Sequence, residues 1–194
     1  GTEGEQELRE QRQELLEVES LNQRIRDITH EVVQADTRAE LERSVCERLI
    51  EFDPIEFAWL GRIDLETNTV VPQAQAGVGD GYLDNVSFSL DSDSDPEPTV
   101  EAARSRKTCV NANTATGIQN GYWQAMAIER GLRSVVSIPI IYEDSVYGVL
   151  SVYSRHGSSF PDGLRSVLEE LCGLVAHATF ASEQAAVLQA DRTL

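Results

Sequence analysis

Apolar residues at Leu8, Leu15, Val18, Ile25 and Val32 fall on alternating a and d positions of a heptad in a stretch from residue 5 to 34 that lacks Pro and Gly. This spacing predicts one long helix. Leu21 and Ile28 widen the stripe, and Asn22 takes an a position, where a buried Asn can fix register in a parallel dimer. Asp36-Thr37 followed by Glu40 reads as a capping box that opens a second helix running to about Phe52, with Leu41, Val45, Leu49 and Ile50 inward. The period then changes. Glu56 to Asp64 alternates, Glu66-Thr67-Asn68 turns the chain, and Thr69 to Ala76 pairs back as a β-hairpin.

Residues 77 to 98 carry Gly77, Gly79 and Gly81 and an acidic tract from Asp91 to Glu97, which together predict an irregular, exposed middle. A short helix begins at Pro98. A brief strand near Thr108 to Val110, a polar stretch to Asn120, and a helix from about Gly121 to Arg130 with Gly131 as its C-cap follow. Arg133 to Tyr142 and Val146 to Tyr153 form the clearest hairpin of the chain. From Pro161 a final helix carries Leu164, Val167, Leu171, Leu174, Ala178, Ala181, Ala185 and Leu188 on a second heptad. The expected fold class is α+β: an antiparallel sheet of about five to six strands with the N- and C-terminal helices on one face and short helices and loops on the other. The expected organisation is an N-terminal signalling helix over 1–35, a sensor domain over 36–180 and a helical extension over 181–194.

Composition narrows the function classes. The 194 residues hold 33 Asp plus Glu against 16 Lys plus Arg, a net charge of -17, and Lys107 is the single lysine. Such a surface repels phosphate backbones and anionic lipid headgroups, so direct DNA or membrane binding by this segment is not expected. Acidity with near-absence of Lys resembles proteins of salt-loving archaea. The longest apolar runs are strand-length, short of the ~20 residues of a membrane helix, and the opening residues do not form a secretory signal. Cys46, Cys109 and Cys172 are scattered, odd in number and free of CxxC pairs, which suits a reducing cytoplasm.

Catalytic motifs are sparse. His30, His156 and His177 fall outside any HExxH frame, and no GxSxG occurs, so the chain is expected not to be an enzyme. Asp91, Asp93 and Asp95 start like a calcium loop, but Pro96 stands where Gly is required and Ala102 where the bidentate Glu is required, which leaves an acidic loop and no metal. A ligand pocket is expected where Tyr122, Trp123 and Met126 of the middle helix face Trp59, Val136 and Ile138 of the strands, with Cys109 at the edge. The cofactor is left unassigned. For a homodimer seam the heptads nominate Leu8, Leu15, Val18, Asn22, Ile25, Leu171, Ala178 and Ala185.

The run SVVSIPIIYEDSVYGVLSVYSRHGSSF, from Ser134 to Phe160, resembles the C-terminal half of a GAF domain, a small-molecule sensing module of signalling proteins; FAWLGRIDLETNTVVPQAQAG, from Phe57 to Gly77, looks like its first hairpin. More narrowly, AWLGRID, GYLDNV, ERGLRSVVSIPI and YGVLSVY are similar to the GAF region of haloarchaeal bacterio-opsin activator-type transcription regulators. The resemblance implies a regulatory sensor of a small molecule or redox state that relays its signal through the terminal helices to a DNA-binding domain outside this chain. Two rivals stand beside it: a ligand-free dimerisation scaffold, and a GAF-type sulfoxide reductase using Cys109. The bilin-attachment and cyclic-nucleotide patterns known in the family are absent.

Overall fold

The computed structural model describes residues 1–91, 96–116 and 121–193, the side chains of Leu21, Val33 and 181–193 excepted. Among them the chain runs α1 (Thr2–Gln34), α2 (Arg38–Leu49), β1 (Phe57–Asp64), β2 (Thr69–Gly77), α3 (Tyr82–Asn85), α4 (Pro98–Ser105), β3 (Cys109–Asn111), α5 (Tyr122–Glu129), β4 (Ser134–Tyr142), β5 (Ser145–Ser154) and α6 (Asp162–Thr193). The strands form one five-stranded sheet in the order β2-β1-β5-β4-β3, every neighbouring pair antiparallel.

Local chemistry accounts for the element boundaries. Thr37 accepts the Glu40 amide at 3.2 Å while a Glu40 carboxylate oxygen accepts the Asp36 amide at 3.1 Å, the reciprocal capping expected at the start of α2. The β4–β5 turn puts both Glu143 (φ 47°) and Asp144 (φ 68°) in the left-handed region, the backbone that a two-residue hairpin needs to match strand twist. Gly148 of β5 lies where a Cβ would come within 2.5 Å of the Gly61 carbonyl, so only glycine lets β1 and β5 approach there. Tyr82–Asn85 folds as a short helix in the stretch expected to be irregular.

Strand alternation splits the core in two. Ala58, Leu60, Val136, Ile138, Ile140, Leu150 and Val152 bury against α1, α2 and α6, where Ile25, Ile28, Val32, Leu168 and Leu171 meet them. The opposite face carries Phe57, Trp59, Val135, Val149 and Tyr153 against α3, α4 and α5. The terminal helices thus share one face, as the sequence implied. An Arg48–Glu31 ion pair (Nε to Oε2, 2.9 Å) ties α2 to α1, and the Arg24 guanidinium lies 4.4 Å from the Phe52 ring centre.

The heptad seam divides. Ile25 and Leu171 are buried in the chain's own core, with the partly buried Val18 and Ala178 packed against it. One domain has used them to cover its sheet. Asn22 is half-buried, and Leu8 and Leu15 are exposed at 63% and 66%. Ala185, Ala181 and Leu188 lie among the side chains outside the description.

Candidate functional site

The face opposite the long helices holds a buried polar network inside an aromatic cluster. It begins with a row of side chains across the sheet: Trp59 pairs with Ser151, Ser151 with Ser137, and Ser137 with Cys109. Antiparallel partners share a face, so these four lie side by side over β1, β5, β4 and β3. Ser137 Oγ and Ser151 Oγ are 2.6 Å apart, and Thr99 Oγ1 of α4 sits 2.6 Å from Ser151 Oγ. Thr99 Oγ1 then donates to Glu97, 3.1 Å from each carboxylate oxygen.

Glu97 was expected in an exposed acidic tract; it is 2% exposed and is the N-cap of α4, accepting the Thr99 amide at 2.8 Å. The local signal marks only the helix start, a Pro at the first helical position; nothing in the sequence marked Glu97 as its cap or as buried. The Tyr153 hydroxyl donates to Glu97 Oε2 at 3.4 Å and accepts from Trp59 Nε1 at 2.9 Å. Burial pushes the Glu97 carboxyl up to about 7, only partly offset by the hydrogen bonds from Thr99 and Tyr153. Burial likewise holds Tyr153 and Tyr82 well above the usual phenol range, with the Glu97 charge adding to both.

Aromatic rings enclose this network. Phe57 and Tyr153 centre 5.1 Å apart, Tyr82 and Tyr153 5.5 Å, and Trp59 and Phe88 4.7 Å. Two buried polar atoms on this side lack a hydrogen-bond partner, Trp123 Nε1 and Gln124 Oε1; the Tyr82 hydroxyl faces that of Tyr153. Native interiors rarely leave such groups unpaired, because each costs ~1–3 kcal/mol.

The expected pocket residues are only partly brought together. Trp59 and Trp123 are buried on this face and Met126 and Cys109 pack at its margin. Val136 and Ile138 are corrected to the helix face; their neighbours Val135 and Ser137 occupy the site side instead. The run SVVSIPIIY is apolar for both faces, so alternation could not say which residues point which way. Tyr122 is 63% exposed and does not line the face. Glu97, Thr99, Ser137, Ser151, Tyr82, Tyr153 and Gln124 were missed as site residues. Two serines in otherwise apolar strands were the available clue.

The remaining cysteines lie on the helix face. Cys46 and Cys172 are buried there, and burial pushes the Cys46 thiol up to about 12 and Cys172 higher still. Asp91 meets Asn68 through its carboxylate, while Asp93 and Asp95 lie outside the described residues.

A sequence profile of the GAF domain matches residues 35–179, and the chain belongs to that family. Among curated proteins none matches the chain. Among solved structures, the GAF domain of a phosphoenolpyruvate-protein phosphotransferase from Coxiella burnetii is 16% identical, with a TM-score of 0.72 over 88% of this chain and 98% of its own. Free methionine-R-sulfoxide reductase from Neisseria meningitidis, solved with its substrate, is 17% identical, with a TM-score of 0.69 over 83% of this chain and 89% of its own. The type II free methionine-R-sulfoxide reductase from Thermoplasma acidophilum is 13% identical, with a TM-score of 0.60 over 74% and 92%. At these identities the likeness is one of fold. It still corrects one expectation: the fold is shared with enzymes, so the absence of hydrolase and metalloprotease motifs does not make this chain a non-enzyme. Among the described residues no helix is long and apolar enough to cross a membrane.

Proposed function

We propose that this GAF domain senses a small molecule on the α3–α5 face of its sheet and passes the bound state to an output domain through α1 and α6. The observation that carries the reading is the buried polar set on that face: Glu97, held by the neutral groups of Thr99 and Tyr153, with the unpartnered Trp123 Nε1 and Gln124 Oε1 elsewhere on the same side of the sheet. Burying a carboxyl without a cation is costly, and perturbed groups of this kind concentrate at binding and reaction sites. A ligand that supplies the missing partners lowers the free energy of whichever arrangement it fits better and so shifts the population of states. The residue-level resemblance and the lysine-poor acidity support a finer reading: a bacterio-opsin activator-type transcription regulator of a halophilic archaeon, cytoplasmic, homodimeric, meeting DNA through a domain outside this chain. In a dimer, a coiled coil through the exposed part of α1 and a signalling extension of α6 over 181–194 would carry the output.

Native mass spectrometry of protein prepared gently from its own host at high salt tests the reading. A small molecule released on denaturation is the expected result. Bare protein, together with no thermal stabilisation by a low-molecular-weight extract of the host, would overturn it in favour of a dimerisation scaffold.

A second reading, thiol-dependent reduction of a sulfoxide, is favoured by one feature: Cys109 is the cysteine on the site face, directly across from Ser137. Incubation with free methionine-R-sulfoxide and a dithiol reductant tests it. Absence of turnover, or turnover unchanged in Cys109→Ser, removes it.

A further inference from the structure

We propose that the cleft between α1 and the start of α6 binds a small zwitterion with a carboxylate at one end of an apolar chain and an ammonium at the other. The cleft lies on the helix side of the sheet, across from Glu97, and does not depend on sensing at that face. It measures about 740 Å³, within the range of small-molecule sites. Three segments build it: the middle of α1, the loop from Glu51 to Ile55, and the turn from Ser158 into the first turn of α6. Gly163 sets its depth, because a Cβ there would lie 3.2 Å from Val18 Cγ2, and its absence lets α1 settle on α6. Ile55 and Leu164, both buried, and Val18, packed against the same core, give the cleft an apolar middle.

Its two ends carry opposite charge. At one end the Arg24 guanidinium lies over the Phe52 ring, and among the described residues that ring is its only partner. Its N–H donors are therefore open to an acceptor in the cleft. Glu14 and Glu17 stand ten and seven residues before Arg24 on α1, roughly 15 and 10 Å along the axis at ~1.5 Å per residue. Both line the same cleft, and among the described residues neither takes part in an ion pair. Asp53, next to Phe52, adds a third carboxylate, while Glu51 is already engaged by Arg48 at 3.3 Å.

That layout selects the ligand chemistry. Carboxylates outnumber the guanidinium, so a simple acid is repelled on approach. A simple amine meets the glutamates but leaves the Arg24 donors without an anion. A zwitterion with both charges on one carbon cannot reach both ends. An apolar chain of several methylenes can: it places a carboxylate at Arg24, an ammonium at Glu14 or Glu17, and its methylenes over Val18, Ile55 and Leu164. Such a guest touches α1, the loop after α2 and α6 at once, and so fastens the middle of α1 to the body of the domain.

The test follows the methyl signals of Val18, Ile55 and Leu164 in 1H–13C spectra of the intact labelled chain. The probe is ε-aminocaproate, titrated at constant ionic strength. Its controls share its carbon count: L-norleucine, the isomer with both charges on one carbon; caproate, the acid alone; and hexylamine, the amine alone. The expected result is a saturable shift of these methyls with ε-aminocaproate, at an affinity at least about tenfold above each control. Arg24 is exposed, so Arg24→Gln should leave the thermal transition in place, weaken ε-aminocaproate by about tenfold and leave hexylamine as it was. Glu14→Gln combined with Glu17→Gln should weaken ε-aminocaproate by a similar factor. Methyl shifts no larger than those in sodium chloride overturn the proposal. So does any control that binds as tightly as ε-aminocaproate, or an Arg24→Gln variant that binds it as well as the parent.

Discussion

The hydroxyl oxygens of Thr99 and Ser151 stand 2.6 Å apart, joining α4 to the middle of the sheet one hydrogen bond away from the buried Glu97 carboxyl. Thr99→Val keeps the shape of the side chain and deletes that junction. It should cost ~1–3 kcal/mol, because Glu97 and Ser151 each lose a partner in a place water does not reach. Urea unfolding of the variant and the parent checks this; equal stability would mean the network is open to solvent.

Glu97 gives the domain a pH dependence of definite sign. Its carboxyl titrates near 7 in the folded chain and near 4.5 when unfolded, so between those values the folded state holds more protons. Stability contributed by this group is complete below about pH 4.5 and is lost as pH rises to about 7, by at most ~3 kcal/mol. Glu97→Gln should remove this slope and gain stability over the parent at pH 8. Unfolding curves of both proteins at pH 5 and pH 8 would reveal it; parallel curves would place the titration elsewhere.

The two ends of the α1 stripe should respond differently to a charge. Ile25→Asp puts a carboxylate into the core beneath α6 and should prevent stable folding. Leu15→Asp alters an exposed position and should change folding stability by less than about 0.5 kcal/mol. If α1 carries the dimer, Leu15→Asp halves the mass measured by light scattering in high salt while the thermal transition stays in place. An unchanged mass would show that this part of α1 is not the contact.

Cysteine reactivity should follow the two faces of the sheet. Cys46 and Cys172 are buried with raised thiol pKa values, and Cys109 is partly exposed on the other face. Native protein should therefore be alkylated first at Cys109, the other two reacting only as the domain opens. Mass mapping of modified peptides over time checks the order.

Elements with a local cause were legible from the residues. The capping box at Thr37, the hairpin around Glu143-Asp144 and the Pro that opens α4 each depend on a few adjacent side chains. The orientation of β4 was not, since Val135 and Val136 are both fully buried and nothing in an all-apolar run separates one face from the other. Glu97 was hidden for a different reason: it ends an acidic tract, and its burial is imposed by the packing of α4 on β4 and β5. The heptads did not separate the two uses of a stripe, because a helix covering its own sheet and a helix facing a partner need nearly the same spacing.

Ser137 and Ile138 are consecutive residues of β4, one in the polar row of the candidate site and the other in the core beneath the long helices. Tyr142, the last residue of the same strand, stacks on Phe180 with ring centres 4.3 Å apart. A single peptide ribbon is thus at once the floor of the candidate face and the bearing on which α6 rests. Any tilt of β4 would be felt at Phe180 without a messenger between them, and the thinness of the sheet sets the distance that separates the two faces.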